Sequence, residues 1–252
     1  MPKFNLSVFR VLTAAIALFA TANSSMAQLS SNCQGGNDYS GFSITIDTVA
    51  TNIGPITDLT GAETDLTGYN TYHLYLQCEA ENDLLGAVGG DINAPVSITT
   101  TTDFYQAELG ATSEPNAGLF FAYPQVQFDS YVTIGLVTAA DNNLGESPTQ
   151  IIEDNGVMPI SIGFENGGDL IIDSPTGSSW YIADAEAASN CAAGSDLKIL
   201  FAQVTTDGDI DGDIQFQVYR NGMQSAENCI RPYLSIPNPF LGGGCMDPTA
   251  CN

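Results

Sequence analysis

The sequence predicts an all-β protein: an antiparallel β-sandwich of about nine strands, followed by the truncated start of a small cysteine-rich module. Three observations carry this. Short runs alternate apolar and polar residues, the period-two signature of half-buried strands. Gly, Asn, Asp and Pro punctuate the chain between those runs. Helical periodicity is weak throughout, its best segment being the alanine-rich stretch Ala183–Ser189, read as a short turn or helix. Repeated short strands with no helices between them fit a sandwich first and a barrel second.

The strands follow in order. Phe42, Ile44 and Ile46 alternate with Ser43, Thr45 and Asp47. Tyr72, Leu74, Leu76 and Cys78 alternate with Thr71, His73, Tyr75 and Gln77. Val96, Ile98 and Thr100 follow Pro95, and Val132, Ile134 and Leu136 alternate with Tyr131, Thr133 and Gly135. Ile160, Ile162 and Phe164 lead to a Gly167-Gly168 turn and the strand Leu170–Ile172. Trp180–Ile182 is short. Leu197, Ile199, Phe201 and Gln203, then Ile214, Phe216 and Val218, make the last two alternating runs.

The ends set the organisation. Lys3 and Arg10 precede the apolar run Val11–Ala22, and Ser25-Met26-Ala27 is a small-x-small cleavage site, so residues 1–27 read as a secretory signal peptide. That run rises about 18 Å as a helix, short of the roughly 30 Å hydrocarbon core. The expected product is exported, extracellular or at the cell surface, and not membrane-spanning. Residues 28–236 form the expected β-sandwich domain, 237–244 a Pro/Gly linker, and 245–252 the start of a cysteine-rich repeat module that continues past Asn252.

Charge narrows the partners. The chain has 29 acidic and 5 basic residues, a net charge of -24. With Lys3 and Arg10 removed, only Lys198, Arg220 and Arg231 remain basic. Such a field repels phosphate backbones, which excludes nucleic acid, and favours cations or plain solubility. The six cysteines all lie beyond residue 27, and export favours their oxidation. Cys191–Cys229 and Cys33–Cys78 are the expected disulfides, with Cys245 and Cys251 belonging to the following module. A lone histidine and the absence of any Cys-x-x-Cys pair argue against structural zinc.

The sharpest local pattern is Asp207-Gly208-Asp209-Ile210-Asp211-Gly212-Asp213-Ile214. Asp207, Asp209 and Asp211 match the opening of a calcium loop, with Asp213 following, because alternate carboxylates on a tight turn can converge on one hard cation. The match stops at Val218, where the bidentate Glu would stand. Read as a turn, two Asp-Gly pairs join strand 197–206 to strand 213–220 as a hairpin; hairpin and calcium site can coexist.

Other candidates are weaker. Glu79, Glu81 and Asp83, and Glu153 with Asp154, read as solvated loops. His73 sits mid-strand, and no Gly-x-Ser-x-Gly elbow accompanies it after residue 27. Tyr69, Tyr72, Tyr75, Tyr131 and Trp180-Tyr181 could offer sugar-stacking rings; Tyr72 and Trp180 read as core, Tyr75 and Tyr131 as outward. The run Thr99–Thr102 is a candidate for O-linked sugar.

The segment Gly244-Cys245-Met246-Asp247-Pro248-Thr249-Ala250-Cys251-Asn252 resembles the opening of Cys-x-Asp-Pro-x-Ala-x-Asn-Tyr repeats in large secreted surface proteins of marine Bacteroidota. The body resembles domains found beside such repeats, through Thr71-Tyr72-His73-Leu74-Tyr75, Phe128–Gly135, and Thr205-Thr206-Asp207-Gly208 with Gly212 and Phe216. The resemblance spans about residues 70 to 220 and implies an exported surface or matrix protein, with no catalytic residues carried across. The expected function is a non-enzymatic structural or adhesive domain, calcium-stabilised and self-assembling into fibre or matrix. The alternative is a carbohydrate-binding module of a larger secreted hydrolase. Self-association or an extracellular polysaccharide is the expected partner.

Overall fold

A computed structural model describes residues 32–237. The expected signal peptide, the expected 245–252 module and all of the expected linker but Pro237 lie outside the described residues. The chain forms β1 (Ser43–Ala50), a small hairpin of β2 (Gly54–Thr57) and β3 (Glu63–Leu66), then β4 (Asn70–Gln77), β5 (Leu84–Gly90) and β6 (Val96–Thr100). A long segment of short turns surrounds β7 (Tyr131–Val132), β8 (Gln150–Ile152), β9 (Leu170–Ile172) and β10 (Ser178–Tyr181). The chain then runs through β11 (Lys198–Thr206), β12 (Ile210–Asp211), β13 (Asp213–Tyr219), β14 (Cys229–Ile230) and β15 (Tyr233–Ser235).

Two antiparallel sheets make the sandwich. One has the order β1-β4-β11-β7. The other runs β14-β13-β5-β10-β8, with β15 also paired to β13. A small β12-β6-β9 sheet adjoins them. Alternation decides the faces, as on β4, where Tyr72, Leu74 and Leu76 point into the core while His73 and Tyr75 are half-buried. Phe201 from the first sheet meets Phe216 from the second edge-to-face at 5.1 Å. Trp180 on β10 is fully buried, and its Nε1–H donates to Phe201 O at 3.1 Å and Thr133 O at 3.2 Å. One indole thus fills the core and ties the two sheets; truncating a buried Trp to Ala costs about 3–5 kcal/mol.

Several short strands (β2, β3, β8, β12, β14 and β15) are not anticipated by the sequence, and three further differences bear on the architecture. Strand β5, Leu-Leu-Gly-Ala-Val-Gly-Gly, is buried at every position, so it shows no alternation to detect. Its glycines permit close strands: a Cβ at Gly89 would stand 2.4 Å from Ser179 Cβ on β10. The expected strand at Ile160–Phe164 is instead a single π-helical turn, Pro159–Gly163. Pro159 begins it after a left-handed Met158, and the Glu153 carboxylate accepts Ile160 N at 2.6 Å and Ser161 N at 3.1 Å. Finally, β11 and β13 do not form a hairpin. They belong to opposite sheets, and 207–213 is the crossover between them.

Candidate functional site

The four crossover aspartates do not gather. Thr101 N donates to Asp209 O at 3.1 Å and Asp209 N to Thr101 Oγ1 at 2.9 Å, and β12 pairs with β6 at Thr99 and Thr100. This pairing stretches the segment into a strand, in which alternate residues such as Asp209 and Asp211 share one face but stand about 6.6 Å apart along it, strung out rather than curled round one point. Asp211 Oδ1 accepts its neighbour's Gly212 N at 2.8 Å, and Asp213 Oδ1 accepts Ser235 Oγ at 2.6 Å. Asp207, Asp209 and Asp211 are exposed. Among the described residues no group of three or more His, Cys, Asp or Glu is placed to hold a metal ion. The threonine run has internal work as well: Thr100 and Thr102 hydroxyls both bond Thr206 Oγ1, at 2.8 and 3.0 Å.

The disulfide joins Cys33 to Cys229, with Cα atoms 4.6 Å apart, and both expected pairings are corrected. The N-terminal segment lies along the 226–229 turn, where Gln34 N donates to Ala226 O and Gly35 N to Cys229 O, both at 2.8 Å. Among the described residues that placement leaves Cys78, at the end of β4, and Cys191 as buried free thiols. Burial pushes both thiols up, Cys191 to about 12.

His73 is held within its sheet. Gln203 Nε2 donates to Asp129 O at 2.7 Å and Gln127 O at 3.0 Å, which turns Gln203 Oε1 toward the imidazole. His73 Nε2–H therefore donates to that oxygen at 2.8 Å, and Nδ1 accepts from the Tyr75 hydroxyl at 3.1 Å. Burial pushes the imidazole pKa down, so it is neutral near pH 7. Tyr75 is half-buried as expected of an outward ring, but Tyr131 is not outward: it is buried, its hydroxyl donating to Val137 O at 3.0 Å.

Asp83, expected in a solvated loop, and Asp129 and Glu114, which the sequence did not single out, are buried and act as clasps. Asp83 is buried, and its Oδ2 accepts Ala80 N at 3.0 Å and Glu79 N at 3.2 Å. Asp129 is fully buried and holds Ala107 N on Oδ1 and Ala111 N on Oδ2, each at 2.8 Å. Burial raises its pKa to about 7, with the Glu165 charge adding to the rise and the two N–H donors opposing it. Glu114 is buried and accepts both the Thr133 hydroxyl, at 2.9 Å, and the Thr149 hydroxyl.

A polar concavity of about 440 Å³ opens beside the disulfide, lined among others by Tyr39, Asp91, Asn93, Gln215 and Arg231. Four separate stretches of chain supply these residues, so no local spacing announces the site; the only sequence signal was that Arg231 is one of so few cations. Among the described residues no helix is long and apolar enough to cross a membrane. No family model matches the chain, and no curated protein is detectably similar to it.

Proposed function

We propose that the chain is a non-enzymatic structural and adhesive domain, exported to the cell surface or extracellular matrix, which associates with further copies of itself. One observation carries this reading: the chemistry-bearing side chains are committed to holding backbone and sheet. Asp83, Asp129 and Glu153 clasp loops, and both nitrogens of His73 are engaged on β4 and β11. Association would use β1, which among the described residues pairs with β4 on one flank only and exposes Val49.

Sedimentation velocity over rising concentration tests the assembly. Oligomers that Val49→Lys weakens are expected, and a strictly monomeric protein at high concentration would refute self-association. Calcium reinforcement of the 207–213 crossover is a separate part of the proposal. It requires the exposed Asp207 and Asp209 to turn toward Asp211. Melting with and without a chelator decides it, and identical curves remove calcium from the account.

A further inference from the structure

Three basic residues remain in the chain beyond the signal peptide, and two are neutralised. Lys198 Nζ lies 3.0 Å from Asp47 Oδ2, and Arg220 NH2 3.0 Å from Glu79 Oε2. Arg231 has no carboxylate partner among the described residues. Its NH2 donates to the neutral Gln215 Oε1, and its Nε is buried without a hydrogen-bond partner. Gln215 is itself buried, so it fixes the guanidinium in place. A cation held in a partly buried fork, in a protein otherwise rich in carboxylates, is a prepared seat for an incoming anion.

The surroundings of Arg231 define what that anion carries. The concavity has Asp91, Asn93 and Tyr39 on its walls beside Gln215 and Arg231, so polar side chains dominate its lining. Asp91 Oδ1 accepts Asn93 N at 2.7 Å and Ala94 N at 3.2 Å, which braces the tight turn. The Asn93 amide is exposed and offers both a donor and an acceptor. A bare carboxylate would use only the guanidinium; an apolar acid would find few apolar walls. A carboxylate on a ring bearing several hydroxyls uses all of them.

We propose that this concavity binds a uronic-acid unit of an extracellular acidic polysaccharide, with the sugar carboxylate on Arg231 and its hydroxyls on Asp91 and Asn93. This needs neither self-association nor a catalytic partner, so it stands or falls apart from the assembly reading. The net charge of -24 repels a polyanion at long range. That repulsion is screened beyond about 8 Å at physiological salt, while the contact pair persists.

The test is calorimetric titration of the whole secreted protein with tetrasaccharides of galacturonate, glucuronate and mannuronate, and with the neutral galactose, glucose and mannose tetrasaccharides. EDTA at about 0.15 M salt removes cation bridging. At least one uronate is expected to bind ten times or more tighter than its neutral counterpart. Arg231→Gln should abolish that preference, and Asn93→Ala, on an exposed turn, should weaken binding severalfold without disturbing the fold. Failure of all three uronates to bind, equal binding of neutral sugars, or uronate binding that survives both substitutions would each overturn the proposal.

Discussion

Asp129 should make stability fall as pH rises across a range where most proteins are indifferent. Its carboxyl is fully buried and titrates near 7, against an ordinary 3.8. Between those values the native state holds a proton that the unfolded chain has lost, so stability is fullest below about pH 4 and is lost as pH rises toward 7. Three pH units at about 1.4 kcal/mol each make this on the order of 4 kcal/mol. Asp129→Asn removes the charge but keeps only one acceptor for Ala107 N and Ala111 N, a pH-independent cost of about 1 kcal/mol. The substituted protein should therefore be slightly the less stable at about pH 4 and the more stable, by about 3 kcal/mol, at about pH 8. Taking the difference between the two proteins cancels the titration of the other carboxylates. Urea unfolding followed by emission of the single tryptophan, buried Trp180, measures it. A difference that stays flat within about 1 kcal/mol between those pH values would refute the assignment of the buried charge.

The remaining predictions concern the staples, the clasps and the backbone. Replacing Cys33 and Cys229 together by Ser opens a loop of sequence separation 196 and should cost roughly 3–5 kcal/mol, read from denaturation midpoints. Glu153→Ala frees Ile160 N and Ser161 N and should cost about 2–3 kcal/mol, with amide exchange at Ile160 and Ser161 accelerated first. Gly135→Ala combines a φ of 72° with a Cβ that would stand 1.8 Å from Asn190 O, so expression of folded protein should collapse. Cys78 and Cys191 should resist alkylation in the native protein and react after denaturation, as peptide mapping would reveal; labelling of either in the folded state would contradict their burial.

Strands whose sequence alternates were legible: β4 keeps a half-buried face, and β13 sets Ile214, Phe216 and Val218 against polar Gln215 and Gln217, although those glutamines are buried too. Strand β5 was not: burial on both faces erases the period-two signal, and its glycines look like turn residues. Ile160–Phe164 failed for a different reason. Its apolar pattern was real, but Pro159 and a carboxylate seven residues earlier capture the backbone first. The aspartate crossover was placed correctly between two strands and wrongly within one sheet, since turn chemistry says where a chain bends and not which partner it meets. Disulfide pairing and the Arg231 concavity depend wholly on such long-range meetings, which leave no trace in spacing.

The Cys33–Cys229 bond also sets how the domain would respond to a pull on its two ends. A pull entering near Asn32 and leaving at Pro237 passes through one covalent link whose Cα atoms are 4.6 Å apart. Within the described stretch, only the segment after Cys229, β15 included, can peel, yielding about 25–29 Å of slack from eight residues (237 − 229). The enclosed 196-residue separation, which could otherwise pay out roughly 650–700 Å, stays off the force path. Under oxidising conditions the domain is then nearly inextensible between those two points; under reducing conditions it becomes a long spring.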